Sequence, residues 1–231
     1  MQDYCLKVEN IKKSFGKKNV LSDISFELHT GECIGIVGMN GSGKTTLFNI
    51  IYGETKANSG NISLMSTDNV ASIIHNRKLI NSHIGYIPQE NMLIEDLSAL
   101  DNLKLWYCDS KLNLSKELES GFLHTLGIDT FLHTKVNKLS GGMQKRLSIG
   151  TALATMPYFM ILDEPCAALD LVAKNIIRSY IRSYKAYGGI LIATHDEEDM
   201  ALCDRLFTLK NGVLTKIPPT IRGEELIQKI L

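Results

Sequence analysis

The chain has 231 residues, 44% of them hydrophobic, which is enough to form a core as one large domain or two small ones. Lys and Arg number 25, as do Asp and Glu, so the basic excess of a nucleic-acid-binding protein is missing and no nucleic acid partner is expected. No apolar run approaches the ~18 residues of a membrane span, and the first residues do not resemble a signal peptide.

The cysteines are odd in number, scattered and without C-x-x-C spacing. This pattern predicts free thiols in a reducing cytoplasm. They are Cys5, Cys33, Cys108, Cys166 and Cys203.

The N-terminal part of the chain predicts a small, mainly antiparallel sheet. Residues 4–10, 20–28 and 62–65 have the apolar or alternating patterns of strands. Phe15 lies before Gly16 in a polar stretch, where an exposed ring could stack on an adenine ring. Ordinary packing is the alternative for a single aromatic residue.

A phosphate-binding loop organises the chain. The run Gly38-Met-Asn-Gly-Ser-Gly-Lys-Thr-Thr46 fits the pattern G-x-x-x-x-G-K-[ST] between an apolar strand at 33–37 and a helical pattern. Glycines let the backbone approach a ligand closely, and the N–H groups at a helix start attract phosphate. Lys44 can reach the β- and γ-phosphates, and the Thr45 hydroxyl can hold Mg²⁺. The predicted nucleotide-binding residues here are Gly38, Asn40, Gly41, Ser42, Gly43, Lys44, Thr45 and Thr46.

The middle of the chain predicts one more strand and then a helical region. The strand at 84–87 ends at Pro88, and Gln89 follows it directly. Residues 66–82 are polar and predict no firm element. Further on, the spacing of leucines predicts one helix that begins near Leu97, with Asp96 or Ser98 as its cap, and a second over 118–126.

A third helix begins at Ser140, a natural N-cap, and ends before Pro157. Gly141 and Gly142 leave its first N–H groups accessible, so this helix start is a second possible anion site. A plain turn is the alternative for a Ser-Gly-Gly sequence taken by itself.

Two buried strands in the last third of the chain end in polar residues. The strand at 159–162 precedes Asp163 and Glu164, and the strand at 190–194 precedes His195. Carboxyl ends of parallel strands are where α/β proteins bind ligands. Asp163 can position Mg²⁺, and Glu164 can accept a proton from water. Solvated carboxylates and a structural histidine are the alternatives, and the phosphate loop favours the functional interpretation.

The remaining elements are a helix over 172–187, a short acidic helix that Asp196 caps, a hairpin around Lys210-Asn-Gly212 and an amphipathic tail helix over 221–231.

Together these motifs resemble the ATP-binding cassette of ABC transporters over residues 4–216. Six motifs occur in the family's order: the adenine-stacking aromatic (Phe15), Walker A (38–46), the junction glutamine (Gln89), the signature (139–143), Walker B with its catalytic glutamate (159–164) and the switch histidine (His195), and residues 168–170 match the loop after Walker B. The departures put only details of a dimer interface in doubt. Met143 precedes Gln144 in the signature, Cys166 replaces a usual threonine, and Ala168 replaces a frequent glycine.

The resemblance implies an α/β fold: a P-loop NTPase core with a mainly parallel sheet, an N-terminal antiparallel β-subdomain and a helical lobe. It also implies a single nucleotide-binding domain over 1–231. Its parts would be the core with the β-subdomain (1–90 and 156–216), the lobe (91–155) and a tail (217–231).

The resemblance implies ATP hydrolysis with Mg²⁺ between two facing cassettes. Glu164, His195, Lys44 and Gln89 would be catalytic. Thr45, Gln89 and Asp163 would hold the metal, and Ser140, Gly141 and Gly142 would bind the ATP of the second cassette. A separate transmembrane permease subunit would be the other partner, placing this cytoplasmic chain peripherally on the inner face of the cell membrane.

The Pro88-Gln89 junction, the Gly-Met-Gln-Lys-Arg run and the lack of a long C-terminal regulatory domain look like exporter-type cassettes. The alternatives are an importer subunit and a soluble ABC ATPase of translation or repair. A soluble relative usually carries two cassettes, coiled-coil insertions or zinc motifs, which this sequence lacks.

Overall fold

Two β-sheets and their covering helices form the chain, whose computed structural model describes residues 3–66, 69–90 and 92–230. The strands in these ranges are β1 (Tyr4–Phe15), β2 (Lys18–His29), β3 (Cys33–Val37), β4 (Ser59–Ser66), β5 (Asn69–Ser72), β6 (Ile84–Ile87), β7 (Phe159–Asp163), β8 (Gly189–Ala193), β9 (Arg205–Lys210) and β10 (Val213–Ile217). The α-helices are α1 (Lys44–Ile51), α2 (Arg77–His83), α3 (Ala99–Tyr107), α4 (Leu114–Ser120), α5 (Phe122–Thr125), α6 (Gly141–Ala152), α7 (Leu171–Tyr184), α8 (Glu197–Met200) and α9 (Gly223–Ile230).

The first sheet is antiparallel, with the strand order β2-β1-β4-β5, as the sequence predicts. Leu6 and Val8 on β1 are buried while Lys7 between them is partly exposed, which is the two-residue period of a strand with one covered face. The strands β1 and β2 are longer than the predicted 4–10 and 20–28. Backbone pairing continues through the polar residues until Phe15 faces Lys18 across the hairpin.

The second sheet has the order β10-β9-β3-β8-β7-β6 and is parallel except for β10. All residues of β3, β7 and β8 are buried, as expected for strands covered on both faces. The predicted hairpin joins β9 to β10 through Asn211 and Gly212, both with positive φ. The fold is therefore the predicted α/β class with a mainly parallel sheet.

Apolar residues fill both faces of the parallel sheet. Ile34 and Ile36 of β3 face the cluster enclosed by the antiparallel sheet and α1. Cys33 and Val37 face the opposite cluster, which α3, α6 and α7 cover. Leu226 of α9 joins this second cluster, so the tail helix packs on the core.

The segment 66–82, which the sequence does not assign, contributes β5 and α2; residues 67–68 lie outside the described ranges. The strand β5 pairs with β4. The Asn76 side chain caps α2 by accepting a hydrogen bond of 3.2 Å from the Leu79 N–H. Asn76 supplies a local start signal within this polar stretch.

The helical region differs from its prediction at two points. Ser98, and not Asp96, caps α3, accepting a hydrogen bond of 3.1 Å from the Asp101 N–H. The prediction of one helix over 118–126 is wrong, because Gly121 has an extended backbone between α4 and α5. The Glu117 carboxylate accepts a hydrogen bond of 3.0 Å from the Phe122 N–H, which satisfies the start of α5.

Across the described residues, no helix combines the length and the hydrophobicity that crossing a membrane requires.

Candidate functional site

A cavity of about 580 Å³ lies at the carboxyl edge of the parallel sheet. The strands β3, β7 and β8 end there, because parallel neighbours direct their carboxyl ends to one edge. The lining residues are Phe15, Lys18, Val20, Asn40, Gly41, Gly43, Lys44, Thr45, Thr46, Gln89, Asp163, Glu164, Ala167 and His195.

The loop between β3 and α1 turns sharply at Gly43, the N-cap of α1, which has φ 110°. A Cβ atom at Gly43 would lie 3.0 Å from a Val20 methyl group, so both the dihedral angle and the space favour glycine. The Ser42 hydroxyl oxygen is buried without a hydrogen-bond partner. An unpartnered donor beside an α-helix start fits a bound phosphate.

Lys44 is a buried cation held by the loop itself. Its Nζ atom donates to the Gly38 carbonyl oxygen at 2.6 Å and lies 3.2 Å from Nε2 of His195. Burial lowers the pKa of Lys44, and the carboxylates of Glu164 and Asp163 oppose that effect. The loop therefore holds the positive charge of Lys44 close to the negative charges of Glu164 and Asp163.

Thr45 and Asp163 fit a magnesium ion. The Thr45 hydroxyl donates to Oδ2 of Asp163 at 2.7 Å, which joins α1 to the end of β7. Burial raises the pKa of Asp163, and the hydrogen bond from Thr45 counteracts it. Adjacent hydroxyl and carboxylate oxygens are ligands that Mg²⁺ prefers.

Glu164 and His195 meet across the ends of β7 and β8. Oε1 of Glu164 lies 3.0 Å from Nε2 of His195. Glu164 has φ 50°, an uncommon angle for a non-glycine residue, and its N–H donates to the Ala193 carbonyl oxygen at 3.0 Å. The backbone therefore turns the Glu164 carboxylate into the cavity.

Two exposed side chains complete the rim. Phe15 is 54% exposed, and the Lys13 ammonium group lies 4.6 Å from its ring centre. Gln89 follows Pro88 after β6, is exposed, and lines the same cavity as Thr45 and Asp163. An open aromatic face suits a stacked adenine base, and an amide oxygen suits a metal or water ligand.

The residues Ser140, Gly141 and Gly142 do not line this cavity. Ser140 is exposed and caps α6, accepting a hydrogen bond of 3.3 Å from the Met143 N–H. The structure therefore separates this predicted anion site from the phosphate loop of the same chain.

Two buried cations near the site are missed by sequence reasoning. Lys145 on α6 is only 5% exposed and donates to the carbonyl oxygens of Pro88 and Gln89. Arg178 on α7 is 3% exposed and pairs with the carboxylates of Asp196 and Asp199, which follow His195 in the chain. Both lie in helices where a Lys or Arg would ordinarily face solvent, so no local signal reveals them.

Comparison with known proteins identifies the chain. The family model described as ABC transporter matches residues 21–167, which include the phosphate loop, Gln89, the signature and Glu164. The chain belongs to the ABC transporter family. As an ABC ATPase it binds and hydrolyses ATP, and it is an ABC transporter ATP-binding subunit.

Named relatives of this ABC ATPase cover most of it. The lipopolysaccharide export system ATP-binding protein of Acidithiobacillus ferridurans is 35% identical, over 93% of this chain and 90% of that protein. The Nod factor export ATP-binding protein I of Burkholderia lata is 35% identical, over 88% of this chain and 67% of that protein.

A solved ABC cassette has the same fold. It is a dimer in a post-hydrolysis state with ADP and phosphate bound, 27% identical to this chain, with a TM-score of 0.77. The alignment covers 94% of this chain and 99% of that chain. The α/β architecture and the ATPase activity predicted from the sequence are confirmed.

Proposed function

We propose that this chain is the ATPase subunit of an exporter, in which two cassettes close around ATP and drive a separate membrane subunit. The observation that carries the proposal is the 3.0 Å contact between Glu164 and His195 at strand ends that open into the cavity of the phosphate loop. A carboxylate, an imidazole and the Lys44 ammonium group there supply the proton acceptor and the charge stabilisation that phosphoryl transfer to water needs.

ATP would bind with its phosphates along the loop and its adenine ring against Phe15. The N–H groups at the start of α1 and the Lys44 ammonium group stabilise the negative phosphate charge. Thr45, Asp163 and Gln89 would hold Mg²⁺, which when bound neutralises charge that develops on the phosphate oxygens. The Asn40, Gly41 and Thr46 positions complete the wall that faces the phosphates.

Hydrolysis would transfer the γ-phosphoryl group to a water molecule. Glu164 orients this water and accepts its proton as the new phosphorus–oxygen bond forms and the bond to ADP breaks. His195, in contact with both Glu164 and Lys44, holds the γ-phosphate side of the site. The products are ADP and inorganic phosphate.

A second cassette would complete each site. Ser140, Gly141 and Gly142 lie outside the cavity of their own chain, at the exposed start of a twelve-residue helix. Such a helix start can bind the γ-phosphate held by another copy or a related cassette. The solved cassette with ADP and phosphate is dimeric, which supports this arrangement.

The membrane subunit would dock in a groove between the parallel sheet and the lobe helices. The groove has a volume of about 160 Å³ and is lined by Tyr86, Pro88, Trp106 and other residues. Met92 is 63% exposed and Trp106 50% exposed at its rim. Exposed apolar side chains beside a concave surface are typical of a protein interface. This partner would hold the chain in the cytoplasm, peripheral on the inner face of the membrane.

Export is the proposed direction. It is supported by the names of two relatives, one of a lipopolysaccharide export system and one for Nod factor export. An importer subunit and a soluble ATPase of translation or repair are the alternatives. Copurification with a multi-span membrane protein, followed by identification of its cargo in vesicles, separates the three.

The catalytic assignment is tested by Glu164→Gln. We expect the variant to bind ATP like wild type and to hydrolyse Mg²⁺-ATP about 10²–10⁴ times more slowly, because the proton acceptor is lost. The control is Glu119→Gln, an exposed carboxylate on α4 outside the cavity. A Glu164→Gln variant with a wild-type rate would contradict the role of Glu164.

A further inference from the structure

Three metal-ligating side chains share the solvent-facing side of the antiparallel sheet. Cys5 on β1 and His29 on β2 are direct cross-strand partners, and Glu27 lies two residues before His29. Because side chains alternate along a strand, all three project from the same face, opposite the buried Leu6 and Leu28. None of them belongs to the ATP cavity.

These side chains converge on one point. The Cys5 sulfur, a Glu27 carboxylate oxygen and a His29 ring nitrogen all lie within 4.8 Å of one another. In a tetrahedral zinc site, bond lengths near 2.0–2.3 Å place ligand atoms about 3.3–3.7 Å apart. Small rotations of the exposed Glu27 and His29 side chains would shorten the present separations of up to 4.8 Å to this spacing without moving the strands.

The backbone of this cluster is fixed. The Glu32 carboxylate accepts a hydrogen bond of 3.2 Å from the His29 N–H, and Arg205 of β9 pairs with the same carboxylate. This arrangement anchors the end of β2 to the parallel sheet. A rigid strand pair lowers the entropy that ordering ligands for a metal would otherwise cost.

We propose that Cys5, Glu27 and His29 form a three-ligand site for a divalent transition metal of the zinc class. Sulfur and imidazole nitrogen favour Zn²⁺ or Co²⁺ over Mg²⁺ and Ca²⁺, which take oxygen ligands. Three protein ligands leave a fourth position for water or a further ligand. The bound ion would join β1 to β2 near the first described residues, at a distance from catalysis.

A lysine competes with the metal for Glu27. Lys7 faces Glu27 across the strands, and its Nζ atom lies 3.8 Å from the Glu27 carboxylate. Lys7 also forms a shorter ion pair of 2.9 Å with Glu9. If Glu27 turned to the metal, Lys7 would therefore keep its ion pair with Glu9. The Lys7→Gln variant removes this competition and is expected to bind the metal more tightly than wild type.

Titration of the full, reduced chain with Co²⁺, in excess Mg²⁺ and without nucleotide, tests the site. The excess Mg²⁺ occupies carboxylate sites, and the near-ultraviolet charge-transfer band of a cobalt–thiolate bond reports sulfur ligation. We expect one equivalent of Co²⁺ to produce the full band. Added Zn²⁺ should displace the Co²⁺ and remove the band.

The variants assign the ligands. Cys5→Ser is expected to abolish the band, whereas Cys108→Ser, which changes an exposed cysteine elsewhere, keeps it. Loss of an outer-shell partner alone costs about 10–100-fold in metal affinity, so His29→Gln and Glu27→Gln should weaken Co²⁺ binding at least that far. Circular dichroism confirms that each variant is folded.

Two results would overturn the proposal. One is a wild-type chain that binds Co²⁺ without a thiolate band, or not at all. The other is a band that persists in Cys5→Ser or is unaffected by His29→Gln and Glu27→Gln. The Lys7→Gln variant keeps all three ligands, so weaker binding by that folded variant also counts against the site.

Discussion

The ammonium group of Lys145 donates a hydrogen bond of 2.9 Å to the backbone carbonyl oxygen of Gln89. Lys145 therefore ties α6, the helix that Ser140 caps, to Gln89, one of the three proposed magnesium ligands. A second bond of 2.8 Å reaches the Pro88 carbonyl oxygen, so one side chain holds both residues of the junction. Movement of α6 would pull directly on the backbone of Gln89.

Lys145 predicts how stability depends on pH. Burial lowers its pKa from 10.5 to about 8. Between these values the unfolded chain binds a proton that the native chain does not, so the free energy of unfolding rises with pH in that window. Between about pH 8 and pH 10.5, we expect the free energy of unfolding of wild type to rise relative to that of Lys145→Met, by up to about 1.4 kcal/mol per pH unit. Urea unfolding of both proteins across the window measures this, and parallel pH profiles would refute it.

Replacement of Arg178, whose ion pairs lie next to the site, should destabilise the fold. Its guanidinium group lies 2.7 Å from Asp199 and 2.9 Å from Asp196, and Asp199 is fully buried. Removing one partner of a buried ion pair costs about 3–5 kcal/mol, because the other charge stays buried. We expect Arg178→Met to lower the free energy of unfolding by that amount in urea titrations.

The control for Arg178 is the third carboxylate that it contacts, Glu198, whose side chain is 72% exposed. Exposed ion pairs contribute only about 0–1 kcal/mol, so Glu198→Gln should remain close to wild type. Asp196 directly follows His195, and the Asp196 N–H bonds the Thr194 hydroxyl, so Arg178→Met should also slow hydrolysis. Equal stability of the two variants would show that Arg178 is not a structural anchor.

Shared active sites predict a pattern in mixed dimers. Lys44→Ala and Ser140→Arg should each be inactive alone, since one removes a phosphate contact and the other blocks the exposed helix start. In their heterodimer, one site carries both defects and the other is intact, so ATP hydrolysis should partly return. The opposite pairing, wild type with the double variant, leaves no intact site. Activity of that heterodimer, purified free of wild-type homodimer, would exclude shared sites.

The docking groove predicts where a membrane partner can be crosslinked. Single cysteines placed at Met92 and Trp106, which line the groove, in a Cys108→Ser background should capture a membrane protein in cells. The matched control is a cysteine at Ser25, on the outer side of β2. Capture from the Ser25 position alone would place the partner on the other side of the cassette.

The phosphate loop and the ends of β7 and β8 could be predicted from sequence because each motif is local. A glycine-rich loop between a strand and a helix, or an acid after four apolar residues, can be recognised from about ten neighbouring residues alone. Parallel strands then bring Asp163 and His195 to one edge of the sheet. The assigned roles of these residues stay predictions until the variants above are measured.

Other features depend on partners that are distant in sequence. The carbonyl oxygens that hold Lys145 are 56 and 57 residues away, and the carboxylates of Arg178 lie on α8 and its cap. Their burial is a property of tertiary packing, whereas a helical pattern places a charged residue in solvent. The break at Gly121 has a different, local origin, because the Glu117 carboxylate accepts a hydrogen bond from the Phe122 N–H. The sequence conceals this break, since the leucines on both sides keep a helical spacing that the backbone does not follow.

The position of β3 has a consequence for synthesis of the chain. This strand carries the phosphate loop and hydrogen-bonds to β8 and β9, which lie more than 150 residues later in the sequence. During translation, both edges of β3 stay open until the ribosome has delivered residues 189–210. Unpaired apolar strand edges are templates for aggregation and slow to find distant partners. A stalled or truncated product that ends before β8 therefore cannot close the sheet around its phosphate loop, and it would present β3 to chaperones and to other nascent chains.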